Sequence, residues 1–296
     1  MILINRLICL FIILFAIATP FYAGAATTKV IYPAGEVEND TRYNDVIEIL
    51  RTALEKTRSK YGYYECSAST SIVPKKRIID DLGRDNRSIN IIWNPTSDEL
   101  EKKFLAIRIP LRKGLLGYRI GLIRKEDQSK FDQIKTEDDL KKIIVGQGID
   151  WSDNGVYHAH KINVVEAPYA HLGKMLSAGR FDMFPRGVGE ILGEYAQYHA
   201  SYPDIVIEKN LLLYYQFPYY FFFNPKDKQL KERVEAGLQL MRKDGSFDAI
   251  FNKYNMTSID KLNLKGRRII RLSNPLLPAN TPIDDQNLWF TPIRQR

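Results

Sequence analysis

Apolar and polar positions in this chain switch repeatedly between the spacing of strands and the spacing of helices. Lys29-Val-Ile-Tyr32 reads as a first strand, and Val46, Leu50, Ala53 and Leu54 then recur at the interval that places them on one helical face. A second strand near Tyr63 to Ser67, a helix after Pro74 through Leu82 and a strand at Ile89-Asn-Ile-Ile-Trp93 continue the alternation. Tyr118-Arg-Ile-Gly-Leu-Ile123 reads as a crossing strand, after which Thr136-Glu-Asp-Asp139 caps a short helix leading into Ile143-Ile-Val145. A second series follows: a helix from Asp153, a strand at Ile162 to Val165, a helix with Leu172, Met175 and Leu176 on one face, a strand at Phe181 to Phe184, and a helix marked by Ile191, Leu192 and Tyr195. Pro218 divides the aromatic run Tyr214 to Phe223 into two extended pieces, of which Tyr219 to Phe223 is the return strand. Leu230, Val234, Leu238 and Met241 line a helix stopped by Gly245, and Phe247 to Tyr254 adds a last turn or two. Strands alternating with helices in two series predict an α/β protein.

The two ends break this rhythm. Arg6, the apolar run Leu7 to Ala18 and the small-residue exit Ala23-Gly24-Ala25 have the form of a secretory signal peptide over residues 1–25, with cleavage after Ala25. The apolar run, about a dozen residues, is short of the ~20 that span a bilayer. The expected location is therefore the periplasm. Past Met256 the chain becomes richer in proline and less periodic, yet Leu272 to Phe290 keeps enough large apolar residues to pack along a lobe.

Cysteines and charge narrow the picture further. Cys9 lies inside the leader, so removing it leaves Cys66 alone and excludes a disulfide framework; the exported chain needs a full apolar core. The formal net charge of +8 is scattered, for example over Lys75, Lys76, Arg77 and Arg267, Arg268, and forms no long basic block. That pattern suits a solvated basic surface or attraction of an anionic solute or envelope surface, and an exported chain excludes nucleic acid as the expected partner.

The most informative motif is Leu176-Ser-Ala-Gly-Arg-Phe-Asp-Met-Phe-Pro-Arg186-Gly-Val-Gly-Glu190, in which a helix ends at a glycine, a short strand follows and an arginine stands at its exit. Strand exits of open α/β sheets are where ligands bind. The Gly179-Arg-Phe-Asp182 strand entry and the closing Met241-Arg-Lys-Asp-Gly-Ser246…Tyr254 helix resemble the bacterial extracellular solute-binding proteins of family 3, the amino-acid-binding proteins, over about Lys29 to Tyr254. The resemblance implies a two-lobed α/β fold of the type II periplasmic-binding kind, with mixed central sheets, helices on both faces and a two-segment hinge. Residues 26–117 with 219–256 would form the first lobe, 118–218 the second, and 257–296 an extension packed on a lobe. In most members an arginine in a Thr-Pro-Glu-Arg segment holds the ligand carboxylate and an acid after the later strand holds its amine. Here the first position is Glu101 and the second is Gly187, directly preceded by Arg186.

Arg186 is thus the leading ligand contact, because a guanidinium offers a planar fork of donors matched to a carboxylate. The backbone at Gly187, opening the next helix, adds anion-binding capacity. An alternative stays open, in which Arg186 simply pairs with Glu190 four residues on. Gly146-Gln-Gly-Ile-Asp150-Trp151-Ser152-Asp153 lies at another strand exit, so Gln147 and Trp151 are candidates for an amide contact and a stacking face. Trp93 closes a first-lobe strand and is a candidate on the opposite wall. Arg108, ahead of Arg112 and Lys113 at the passage between lobes, is the best-placed replacement for the missing carboxylate arginine, although its alternation with Ile107 and Ile109 also fits an outward strand position. Glu36 is a further loop candidate. His158 and His160 are two apart, which on a helix points them to different faces, so no metal is expected; no cofactor motif stands out.

The expected function is binding without turnover. A small, anionic or carboxylate-bearing solute would be captured between the lobes by a monomer and passed to an inner-membrane transporter permease or reported to a membrane sensor. Two rivals are a dehydratase-like lyase using Glu190 or Asp150 as acid or base, and an interaction protein whose tail carries the partner surface.

Overall fold

The computed structural model describes residues 27–35 and 40–291, so the leader and Glu36 lie outside the described residues. The first strand, β1 (Thr28–Tyr32), pairs in parallel with β2 (Tyr64–Ala68), Val30 opposite Cys66. Between them α1 (Asn44–Lys56) buries Val46, Ile49, Leu50, Ala53 and Leu54, the stripe legible in the sequence, and a short α2 (Arg58–Tyr61) follows. Each such side chain withdrawn from water stabilises the fold by about 1.5–3 kcal/mol. After α3 (Lys75–Leu82) comes β3 (Ile92–Pro95), starting later than the sequence suggests. The reason is Asn90, whose side chain accepts from Ile31 N at 2.8 Å and whose own N–H donates to Ile31 O at 3.0 Å; it stitches β1 to this region before regular pairing begins. The lobe continues with α4 (Asp98–Lys103), capped by the Ser97 hydroxyl, and β4 (Leu105–Ile107).

Residues 108–117 then cross to a second lobe. Its elements are β5 (Tyr118–Arg124), α5 (Gln128–Asp132), α6 (Glu137–Leu140), β6 (Ile144–Gly148), α7 (Asp153–Ala159), β7 (Asn163–Ala167), α8 (Tyr169–Ser177), β8 (Met183–Gly187), α9 (Ile191–Ser201), β9 (Ile205–Ile207) and β10 (Leu211–Tyr214). Thr136 and Asp139 form the reciprocal capping box expected at the start of α6. The chain recrosses at 215–218 into β11 (Tyr219–Phe223), fully buried and antiparallel to both β3 and β4. The two crossings lie side by side, Tyr215 N donating to Gly117 O at 3.2 Å, and they prolong the antiparallel pairing of β5 with β10.

The second-lobe sheet runs β12-β10-β5-β8-β6-β7, where β12 (Arg268–Arg271) comes from the C-terminal region, and β9 pairs with the far end of β5. Parallel β6–β8 and β6–β7 sit beside antiparallel β5–β8, so the sheet is mixed. Leu172, Leu176 and Ile191 of α8 and α9 cover one face with Phe184 and Leu122, while Val156 and Tyr157 of α7 cover the other with Val145 and Met183. In the first lobe α10 (Lys228–Asp244) buries the predicted Leu230, Val234, Leu238 and Met241. The helix after Gly245, α11 (Ser246–Lys261), is far longer than the expected turn or two, because Phe247, Ile250 and Phe251 continue the buried face and Asn255 and Ser258 stay buried beyond it. It reaches from the first lobe, where Tyr254 donates to Glu48 of α1 at 2.6 Å, to the second, where Leu262 and Leu264 join the α8–α9 cluster. The chain therefore passes between lobes at α11 as well as at the two expected crossings.

Candidate functional site

The exits of parallel β6 and β8 and the start of antiparallel β5 lie at one edge of the second-lobe sheet, because Arg119 is level with Gly187 and Ile120 with Arg186. At this edge Arg186 is 3 % exposed. Its Nε donates to Glu194, one of its terminal nitrogens donates to Glu194 Oε1 at 2.8 Å, and the same nitrogen lies 3.2 Å from Glu190 Oε2. Trp151 lies over the guanidinium at 4.7 Å, with Phe184 at 4.8 Å on it as well. Burial by itself would favour loss of the proton, but the two carboxylates outweigh it and hold the Arg186 pKa well above its ordinary value.

On the opposite face of the sheet Arg119 makes a second arrangement, joined to the first by Glu190 Oε2, 3.7 Å from one of its terminal nitrogens. It lies 2.6 Å from Asp153 Oδ2, which also accepts from the Tyr215 hydroxyl at 2.6 Å, and Tyr157 shares a hydroxyl contact with Tyr215 at 3.2 Å. The guanidinium carbon stands 5.2 Å from the Phe217 ring. Arg119 Nε is buried and makes no hydrogen bond among the described residues.

The crossing brings the third arginine. Arg112 sets its fork on Asp45 of α1 at 2.7 and 2.9 Å, donates to Glu190 Oε1 at 3.1 Å and to Arg42 O at 2.5 Å. Arg42, from the first lobe, lies 4.0 Å over the ring of Tyr169 in the second. Glu190 thus stands where both lobes and the crossing converge, and its Oε2 also accepts from Gly187 N at 3.1 Å. Burial pushes its carboxyl up, but Arg186, Arg112, Arg119 and Arg42 together prevail and hold it at about 2. A cavity of about 40 Å³ lies among Arg42, Lys75, Arg112, Arg119 and Arg186, with Asp153 and Glu190 as its carboxylates and Trp151 and Phe217 as aromatic walls. A larger one of about 210 Å³ adjoins it and shares Glu190 and Arg112; there Asp40, Asp45 and Glu194 shift the balance to acid.

Of the residues singled out from sequence, Arg186, Gly187, Glu190 and Trp151 come together here. Three stand apart. Arg108 is exposed and engages Glu101 with Nε at 2.8 Å, an outward position beyond the end of β4. Trp93 is in the first-lobe core against Tyr32, Tyr43 and Phe221, beside a separate cavity. Gln147 is fully buried on the α7 face, because Gly146 and Gly148 turn toward Phe181 and Trp151 on the other, and neither of its amide atoms has a hydrogen-bond partner among the described residues. Sequence reasoning misses Arg119, Asp45 and Glu194; a lone arginine inside the apolar strand Tyr118 to Ile123 is the signal that could have found the first. His160 contacts Glu137 and the Ser273 carbonyl, and among the described residues no cluster of His, Cys, Asp and Glu could hold a metal ion.

No family model and no curated protein matches this sequence. Solved structures do match in fold. An ancestral arginine-binding protein bound to arginine superposes with a TM-score of 0.56 at 19% identity, covering 77% of this chain and 97% of that one. An ancestral amino acid-binding protein described as a precursor of cyclohexadienyl dehydratase gives 0.55 at 17% identity, covering 77% and 95%. An amino acid ABC transporter substrate-binding protein from Streptococcus pneumoniae bound to L-arginine gives 0.53 at 15% identity, covering 78% and 95%. The chain has the two-lobed fold of these periplasmic binding proteins. Nearly the whole of each neighbour is matched, while nearly a quarter of this chain has no counterpart.

Proposed function

We propose that this protein is a divergent member of the amino-acid-binding family, exported to the periplasm, that captures a small carboxylate-bearing solute between its lobes as a monomer and hands it to a membrane partner, an importer permease in the first instance. The observation that carries this reading is the convergence of Arg42, Lys75, Arg112, Arg119 and Arg186 on one small cavity at the interlobe edge, lined also by Asp153 and Glu190. Asp40, Asp45 and Glu194 pair with Arg42, Arg112 and Arg186 around this lining, so the charges are matched, and a carboxylate entering there would compete for guanidinium donors in a buried setting where charge-assisted bonds are strongest. Arg119 is the contact of choice: its terminal nitrogens face Asp153 and Glu190, but its Nε is buried without a hydrogen bond among the described residues, whereas Arg186 commits its Nε to Glu194 as well. Trp151 and Phe217 supply apolar walls, and hinge opening supplies room for a molecule larger than the cavity. The arginine held by two of the structural neighbours is in keeping with a solute that has both signs of charge, which the adjoining acid-lined cavity also accommodates.

The lyase reading has less support. A carboxyl held at about 2 is ionised at neutral pH, so Glu190 is a poor proton donor and a weak base. Asp150 is exposed and does not line the cavity. Calorimetry against amino acids, dicarboxylates and short peptides, with mass spectrometry of whatever co-purifies, tests the proposal. Binding of a carboxylate-bearing solute that is lost in Arg119→Ala supports it; binding that is indifferent to Arg119→Ala and Arg186→Ala in folded protein overturns it.

A further inference from the structure

The C-terminal segment has no role in the site, yet it touches each place where the hinge must bend. Leaving β12, the chain donates Leu272 N to Tyr214 O at 2.8 Å and the Asn274 side chain to Gln216 O at 2.8 Å, which fixes it to the second crossing. It then lays Leu276 against Gly155 of α7. A turn at Pro278–Thr281 reverses its course, and Leu288 becomes buried beside Ile109, Pro110 and Phe247. The Trp289 indole, tied by Nε1 to Pro282 O at 2.8 Å, comes to rest on Gly114 of the first crossing. Phe290 N donates to Lys113 O at 2.7 Å, and the Phe290 ring lies 5.2 Å from Phe251 of α11.

One of the residues so held is in a costly conformation. Lys113 has φ of 48°, in the left-handed region, which costs a side-chain-bearing residue energy and persists only where the surroundings impose it; Gly114 beside it, at 74°, takes up the same region freely. A side chain at Gly114 would sit 2.3 Å from the Trp289 ring, so crossing and tail are fitted to each other. Hinge motion in a two-lobed protein is taken up by φ/ψ change at just such connecting residues.

We infer that the segment from Leu272 to Phe290 is a hinge clamp: it grips both crossings and must be loosened before the lobes can part. It adds a restraint beyond the cleft ion pairs and is independent of which solute the cleft takes.

The test measures distances between spin labels at Lys103 in the first lobe and Lys142 in the second, with Cys9 and Cys66 replaced by serine in every protein. Both labelled side chains are well exposed, at 58% and 74%. Asp45→Asn loosens the cleft; Trp289→Ala with Phe290→Ala frees the first crossing, and Asn274→Ala separately frees the second. The distance distribution of Asp45→Asn alone is expected to stay near that of the parent. Adding either tail change is expected to bring in a longer-distance population, displaced on the order of several Å, while circular dichroism shows the lobes still folded. If Asp45→Asn shows the same distribution with and without the tail changes, the clamp is overturned. Because the tail is altered at two separate places, misfolding of one variant leaves the other to decide.

Discussion

The two walls of the cleft are built differently. The second lobe carries its charges on regular structure: Arg119 is on β5, Arg186 on β8, Asp153 at the start of α7 and Glu194 on α9, each buried and each paired within that lobe. The first lobe keeps its strands aromatic, with Phe221, Phe222, Phe223 and Trp93 in the core, and sends charge to the cleft from the segment before α1, from Asp45 and from Lys75 at the start of α3. One wall is therefore set by the sheet, and the other meets it through Arg112 and Asp45. The lesson is that a ligand would find the second lobe ready-made and would gain or lose the first lobe's contacts on closure.

The largest effect should come from breaking the fixed wall. Arg119→Met leaves Asp153 buried without its cation, and we expect a loss of about 3–5 kcal/mol in unfolding free energy by urea titration. An unchanged midpoint would mean that this wall is not held by its ion pairs. Acid should produce the next effect. Glu190 keeps its charge in the folded protein down to about 2, against an ordinary value of 4.5, so its contribution is complete above that ordinary value and fades as the pH falls toward 2. The expected total is about 3 kcal/mol, and this part of the acid limb should be missing in Glu190→Gln when stability is followed from pH 6 to 2.

Asp45→Asn tests the mobile wall. Arg112 retains Glu190 and the Arg42 carbonyl, so the expected loss is smaller, about 1–3 kcal/mol. A loss equal to that of Arg119→Met would erase the distinction between the walls. Least is expected of Arg108→Ala: the arginine is exposed, and the buried Glu101 carboxylate keeps the Thr96 hydroxyl at 2.6 Å, so the loss should be about 1 kcal/mol, with solute affinity by calorimetry unaltered.

Much of this architecture is legible in the chain, because the apolar stripes of α1, α8 and α10 and the aromatic β11 are strong local patterns. The site is legible only in part. A strand exit after Phe184 reveals Arg186, since it is a local feature, but the partners depend on distant pairing: Arg119 arrives level with Gly187 through antiparallel β5. Arg112 and Arg108 stand four residues apart in one irregular segment, and what separates them is a distant partner: Arg112 meets Asp45 of α1, whereas Arg108 meets Glu101. Gln147 was ambiguous for a different reason. With Gly146 and Gly148 on either side, β6 shows no alternation from which its face can be told.

One tight contact bears on which half of the molecule would travel in the proposed opening. A side chain at Gly117 would fall 2.0 Å from the Tyr215 carbonyl, so the paired backbones there admit only hydrogen between them. That intimacy makes the pivot an outgrowth of the second-lobe sheet, inseparable from Arg119 two residues along. In the opening proposed above, lobe 2 is then the anvil, and lobe 1 the jaw that swings from its rim.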